Sequence, residues 1–262
     1  MGAQRLGADG IFDVVAVGDC GLDLYAEVPK LPGYDEKVPG TFIGIFGGGV
    51  AANFACAAAR LGMRTGLVSV VGDDHFGVRA TETVAEHGVD VSGMCIRTDA
   101  HTHFCFVCLD ERGEKALTIV RTAAFVPRWE DLSLSHIRAA RLVHLAPFDL
   151  ESATAVATYA TDRGVPVSVD LEPGSAMAGL EPLGTLLSKA KILLPNEQCI
   201  RTLFPGASIE DAAYELRARG PEIVVVTRGE QGAIVVAGDE AVRVGAYRVQ
   251  VRDTTGAGDC FN

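Results

Sequence analysis

The sequence predicts a three-layer α/β fold: a mostly parallel central sheet with helices on both faces. Three observations carry this. Beyond residue 141, short β-branched apolar runs alternate with stretches of helical periodicity, the pattern of strands joined by crossover helices. Near the start, an apolar run at 12–17 precedes an alanine-rich segment at 50–60. Between these halves, residues 37–46 and 102–120 lack helical periodicity, and the second stretch reads as a hairpin.

Residues 12–17 (FDVVAV) form a buried first strand, since β-branched apolar runs suit a pleated interior. Residues 50–60 form a helix, with Gly62 as its C-terminal stop. Residues 104–109 and 116–120 are strands around a turn at 110–113, Asp-Glu-Arg-Gly. Strand 142–145, helix 151–163, strand 166–170, helix 180–189, strand 192–194, helix 209–219 and strand 223–227 then follow. Right-handed crossovers put the carboxyl ends of these strands on one edge, where ligands bind. The 262 residues suffice for one large domain, here 11–262, with residues 1–10 as a flexible tail.

Composition excludes several functions. No apolar run approaches the roughly 18 residues of a membrane helix, and residues 1–10 lack a signal-peptide core. A net charge of −11 argues against nucleic acid, whose binding rests on neutralising phosphates. The seven cysteines, Cys20, Cys56, Cys95, Cys105, Cys108, Cys199 and Cys260, are scattered and odd in number, which points to reduced thiols and a cytoplasmic protein. His101, His103 and Cys105 alternate along one strand face, but no second ligand pair accompanies them, so a plain strand is the better reading than a metal site.

The chemistry concentrates in the last ten residues, Asp253-Thr254-Thr255-Gly256-Ala257-Gly258-Asp259-Cys260-Phe261-Asn262. Two glycines around a small residue let backbone N–H groups approach an anion, and a helix starting there would favour negative charge. Asp259 beside such a cradle repels phosphate but is well placed to take a proton from a hydroxyl attacking phosphorus. The ordinary alternative is a glycine turn before a helix that Asp259 caps. Fewer than one turn follows Asp259, and short isolated helices are marginal. The expectation is that the natural protein runs on, by on the order of tens of residues that complete the cradle.

A second glycine cluster, Gly47-Gly48-Gly49-Val50-Ala51-Ala52-Asn53, leads into the alanine-rich helix. Taken with the terminal DTTGAGD, with Gly18-Asp19-Cys20-Gly21-Leu22-Asp23, with Pro195-Asn196-Glu197-Gln198 and with Thr227-Arg228-Gly229-Glu230-Gln231-Gly232, it closely resembles the signatures of the ribokinase-like (phosphofructokinase-B type) carbohydrate kinases, in order along nearly the whole chain. The resemblance implies a ribokinase-like fold with a small β-sheet lid built from about 37–46 and 102–120. It implies ATP-dependent phosphorylation of a sugar hydroxyl, with Asp259 as general base and the backbone of Gly256, Ala257 and Gly258 as the anion hole.

By the same resemblance Asp23, Gly47, Gly48, Gly49 and Asn53 would bind the sugar. Asn196, Thr227, Gly229, Gly232 and Asp170 would line the ATP site, with Mg2+ on the phosphates. Asp253 could take part in a monovalent-cation site for an ion such as K+. One departure stands out: the fourth place of the family's N-x-x-E is Cys199, and Glu197 points about 100° away on a helix. Bland alternatives stay open for each position: a strand-to-helix turn at 47–53, a solvated Asp23, and a hairpin turn at 227–232. A nucleoside kinase of the same fold would need an apolar slot, which Phe42, Phe104 and Phe106 could supply. A non-catalytic sugar- or nucleotide-binding protein is the rival from another class. The expected partners are a sugar and ATP, with neither nucleic acid nor membrane, and a homodimer through exposed lid edges.

Overall fold

The computed structural model describes residues 12–262 except 113, 148 and 252. The tail expected at 1–10 lies outside the described residues.

The chain opens with β1 (Val14–Val17), four residues buried on both faces. It crosses at once into a second sheet through β2 (Gly21–Val28) and β3 (Thr41–Gly48). Helix α1 (Val50–Arg60) returns it to β4 (Thr65–Val68). Next come β5 (Val70–Gly72), α2 (His75–Glu86), β6 (Cys95–Arg97), β7 (Phe104–Asp110) and β8 (Lys115–Val120). The alternating half follows: α3 (Leu134–Arg138), β9 (Val143–Leu145), α4 (Leu150–Thr161), β10 (Val167–Leu171), α5 (Pro173–Ala176), α6 (Leu180–Lys189), β11 (Ile192–Pro195), α7 (Glu197–Leu203), α8 (Ile209–Arg217) and β12 (Ile223–Thr227). Strands β13 (Ala233–Ala237) and β14 (Glu240–Val244) precede the terminal α9 (Ala257–Phe261).

The large sheet has the order β14-β13-β12-β11-β10-β9-β1-β4. From β12 to β4 every pairing is parallel, and β13 and β14 add an antiparallel edge. This is the mostly parallel sheet that the alternation predicts. Its strands read as continuous apolar runs because helices cover both faces. On α6, Leu183, Leu186 and Leu187 recur at helical spacing and are fully buried, each contributing about 1.5–3 kcal/mol relative to exposure. The alanines of α1 let it lie close on β1 and β4. Gly62 follows the α1 cap residue Leu61, and the Met63 N–H folds back to Ala58 O at 3.1 Å.

The smaller sheet has the order β3-β2-β7-β8. It contains the two stretches without helical periodicity, and also β2, to which the sequence reading assigns no strand. The chain switches sheets at Gly18-Asp19-Cys20, because Asp19 turns back to the α1 N-terminus, where its Oδ1 accepts the Ala51 N–H at 3.3 Å. The elements that the sequence reading does not assign include β4, α2, α3, α5, β14 and the two-stranded parallel sheet of β5 and β6. No helix among the described residues is long and apolar enough to cross a membrane.

Candidate active site

The carboxyl ends of the parallel strands meet the smaller sheet on one side of the molecule, and the motif residues gather there. Asp23 lies on β2, opposite Phe46 of β3 and Cys105 of β7. Gly48 is glycine for a packing reason: a Cβ there would stand 2.5 Å from Asp23 Oδ1. Gly49 caps α1, and Asn53 lies one turn further along it. Asn53 Nδ2 donates to Asp259 Oδ2 at 2.8 Å, a hydrogen bond between residues 206 apart in sequence. Gly256 opens α9 at φ 71°, and a Cβ on it would crowd Asn53 Nδ2 at 3.2 Å. Thus the two glycine clusters are brought together, joined by Asn53 and Asp259.

Electrostatically the site is a nest of carboxylates. Burial raises Asp259 above the usual carboxylate range, and the Asn53 hydrogen bond pulls it back down in part. Asp23 is pushed up to about 6 by burial and then by the charges of Asp259 and Asp253, while Lys115 opposes this. Asp170, 5% exposed at the end of β10, is pushed up to about 8 by burial, helped by Glu172 and Asp259 and opposed by a hydrogen bond from Asn262. Asp19, 3% exposed, rises to about 7, mainly by burial, against the N–H groups of Ala51 and Val50. Glu172 is raised by burial and by Asp259.

Such repulsion is what a bound cation relieves. Carboxylate oxygens of Asp170, Glu172 and Asp259 lie within 4.8 Å of one another. Hard oxygen donors at this spacing fit Mg2+, which takes one or two carboxylates and leaves its other positions to phosphates and water. Asp253 differs. Its Oδ1 accepts from Lys115 Nζ (3.2 Å) and from the Thr255 N–H (2.9 Å) and hydroxyl (2.8 Å), and its Oδ2 accepts from the Tyr25 hydroxyl (3.1 Å). A monovalent ion on Asp253 would have to share it with these groups.

The remaining predicted residues lie along the same strand edge. Leu171 pairs with Pro195, and Asn196 bridges Thr227, so the ends of β10, β11 and β12 are neighbours. Asn196 caps α7, its Oδ1 accepting the Cys199 N–H at 3.0 Å. Glu197 is engaged by Arg201 and by Arg228 (3.3 Å), away from the acidic nest. Residues 228–232, with Gly229 and Gly232, turn β12 into β13 as a hairpin. Cys199 is fully buried, its thiol donating to Leu171 O at 2.8 Å.

Two corrections concern what surrounds Asp23. Phe104 and Phe106 register with Leu22 and Leu24, on the opposite face of the small sheet from Asp23, and Phe104 packs edge-on against Phe76. Phe42 pairs with Ala26 beyond a register shift. Phe104 and Phe106 form no slot at Asp23, because strand side chains alternate faces, and the register shift seats Phe42 opposite Ala26 rather than beside Asp23. Instead Phe46, Asp23, Cys105 and Ile119 form one row across all four strands on a single face.

Sequence reasoning missed Asp19, Glu172, Tyr25 and Lys115 as members of this region. For Asp19 and Glu172 a signal existed: each carboxylate stands just past the end of a buried strand. For Tyr25 and Lys115 there was none. A groove lined by Trp129, Tyr159 and Arg163 shares no residue with the acidic nest, which we identify as the site by its convergent polar groups.

The family model described as pfkB family carbohydrate kinase matches residues 12–262. The chain is 30% identical to a ribokinase of Bacillus subtilis (strain 168), over 95% of this chain and 83% of that protein. It is 29% identical to a nucleoside kinase of Methanothermobacter thermautotrophicus, over 95% and 80%. A solved E. coli structure that holds ATP and Mg2+ superposes with a TM-score of 0.83 at 26% identity, covering 95% of this chain and 83% of that one.

Proposed function

Because this chain belongs to the pfkB family of carbohydrate kinases, and is thus a phosphotransferase acting on a hydroxyl, we propose that it phosphorylates a primary sugar hydroxyl from ATP in the cleft between Asp23 and Asp259. The observation that carries this reading is the Asn53–Asp259 hydrogen bond, which joins the glycine cluster at 47–49 to the one at 256–258. The kinase domain spans 11–262, and the β3-β2-β7-β8 sheet is its lid. Asp23 accepts two sugar hydroxyls, the backbone of Gly47, Gly48 and Gly49 meets others, and Asn53 serves both the sugar and the base. ATP lies along the strand ends at Asp170, Asn196, Thr227, Gly229 and Gly232.

Asp259 takes the proton of the attacking hydroxyl while its oxygen bonds to the γ-phosphorus and the bond to the ADP oxygen breaks. The N–H groups of residues 256–258 meet the charge on the transferring group. Mg2+ would be held by Asp170 and Glu172, and when bound it neutralises phosphate charge. A carboxylate positioned beside an anion hole has no use in a pure binding protein, which disfavours the non-catalytic rival.

One observation favours a second reading, a nucleoside kinase. The Phe46–Asp23–Cys105–Ile119 row sets apolar side chains on both sides of the proposed hydroxyl ligand, and Phe46 and Ile119 are each 49% exposed. A nucleobase could cover them. A coupled ATP-turnover screen over ribose, fructose, a keto-deoxy sugar acid and a nucleoside separates the readings. The edge strands β3 and β8 remain available for pairing between two lids, which light scattering on the eluting protein tests.

Asp23→Ala should raise the sugar KM at least ~10-fold, the loss of hydrogen bonds to a charged group, and leave the ATP KM within ~2-fold. A mutant weakened in ATP alone would reverse the placement of the two ligands. The pH profile gives a second check. Asp259 must be ionised to accept a proton, and burial raises its pKa, so kcat/KM should fall on the acid side; protonation of Asp23, near pH 6, adds to that fall. Removing the Asn53 amide withdraws the group that lowers the Asp259 pKa. Asn53→Ala should therefore move this acid limb to higher pH. An unmoved limb in the pH–rate profile would remove Asp259 from the proton transfer.

A further inference from the structure

Residues 245–253 contain no helix or strand among those described, yet they deliver the chain to the Gly256–Gly258 turn. Side chains of the small sheet hold the end of this segment. Lys115, the first residue of β8, places Nζ 2.6 Å from Thr255 Oγ1, 3.2 Å from Asp253 Oδ1 and 3.5 Å from Thr254 Oγ1. Tyr25 on β2 donates its hydroxyl to Asp253 Oδ2 at 3.1 Å and is itself 9% exposed. The Thr255 N–H and hydroxyl close on the same Asp253 carboxylate. One carboxylate and two hydroxyls thus wrap a single ammonium, one residue before the turn.

The sheet that makes these contacts is also the sheet that carries Asp23. Asp23 and Tyr25 are two residues apart on β2 and so share a face. The register Tyr25↔Val107, Val107↔Leu117 and Leu109↔Lys115 puts Lys115 on that face too. Whatever moves Asp23 toward a ligand moves Tyr25 and Lys115 with it. Lys115 has a quarter of its side chain exposed and Asp253 about two fifths, so the pair is only partly screened by solvent.

We propose that Lys115 and Tyr25 are positioning residues that lock the small sheet to the Asp253–Thr255 segment, so that closure over the sugar and alignment of the Gly256–Gly258 backbone are one event. This rests on the kinase reading above. Neither residue touches the reacting atoms. Their effect is a coupling: sugar held by Asp23 fixes the sheet, the sheet fixes Asp253 through Lys115 and Tyr25, and the next residues present their N–H groups in register. Coupling free energies of this kind amount to about 5- to 150-fold in affinity.

The test is calorimetry and steady-state kinetics on the intact protein, with Mg2+ and the non-hydrolysable nucleotide AMP-PNP, plus the acceptor that wild type turns over fastest in the four-class screen. For wild type, that acceptor should tighten AMP-PNP binding at least ~5-fold. In Lys115→Met the tightening should fall toward unity and kcat should drop about 10-fold. Lys115→Arg, which restores the cation, should recover most of both. Tyr25→Phe removes one oxygen, is expected to fold, and should lose at least ~2-fold of the tightening, so it carries the test if Lys115→Met melts early. Asp259→Asn should keep the coupling, since it leaves the lock in place. Unchanged coupling in folded Lys115→Met and in Tyr25→Phe, or no coupling in wild type, overturns the proposal while leaving the kinase reading intact. A wild type that phosphorylates none of the acceptors overturns the kinase reading and this proposal with it.

Discussion

Asp259→Asn should lower kcat at least ~10²-fold and leave both KM values within a few-fold, the scale of a positioned base. The amide is isosteric and its oxygen can still accept from Asn53 Nδ2, so the geometry joining the two glycine clusters survives. What disappears is the capacity to take the hydroxyl proton. The expected stability change separates this from unfolding. A carboxylate whose folded pKa is raised stays protonated in the folded state after its unfolded counterpart has ionised. It therefore costs stability as pH rises from about 4 through its folded pKa. Removing it should leave the protein melting at or above the wild-type temperature at pH 7. Removing it also takes away one of the charges that raise Asp23, Asp170 and Asp19, whose pKa values should all fall. A loss of turnover under ~5-fold, with a normal melting curve, would strip Asp259 of its role.

Cys199→Glu, the change that would restore the family's N-x-x-E, should cost about 3 kcal/mol or more. Cys199 is 0% exposed, packs in the main core beside Ile200 and Leu171, and its burial pushes the thiol up to about 12. The neighbouring charges are Glu172 and Asp170, which raise the thiol further and would repel a third carboxylate. A larger, ionisable side chain there must overpack the core or be held protonated. At about 2–4 °C per kcal/mol for a chain of this size, thermal melting should shift down by roughly 6 °C or more. A native melting temperature together with a lower Mg2+ requirement would mean that the new carboxylate reaches the phosphate environment after all. On the proposed reading, Asp170 and Glu172 would supply carboxylates at the adjacent strand end in its place.

The parallel half of the fold was readable because two periodicities differ. Strands such as 223–227 are unbroken β-branched runs, and helices such as 180–189 repeat leucines at three and four. Both of those spans match the structure to the residue. The small sheet was harder. β2 carries Asp23 and Glu27 within an apolar run, so its sequence alone does not mark it as a strand, and only its pairing partners reveal a second sheet. The face of Phe104 and Phe106 could not be read either, since a one-residue change of register exchanges the two faces. Within the site, the positions with unusual backbone needs announced themselves: Gly48, Gly49 and Gly256 are glycine because of what stands next to them. Lys115 and Tyr25 carry no such mark. A surface lysine and a strand tyrosine are common residues, and their meaning comes from a contact made 138 and 228 residues away.

The most direct test of the account is to follow the phosphorus itself. Incubate the wild-type protein with Mg2+·ATP and each acceptor class, and record 31P spectra of the products. The account predicts that one class yields a phosphomonoester on its primary hydroxyl in step with ADP, and that Asp259→Asn yields at least ~10²-fold less in the same time. Release of inorganic phosphate at a rate indifferent to every acceptor, or the same phosphomonoester formed at full rate by Asp259→Asn, would contradict it.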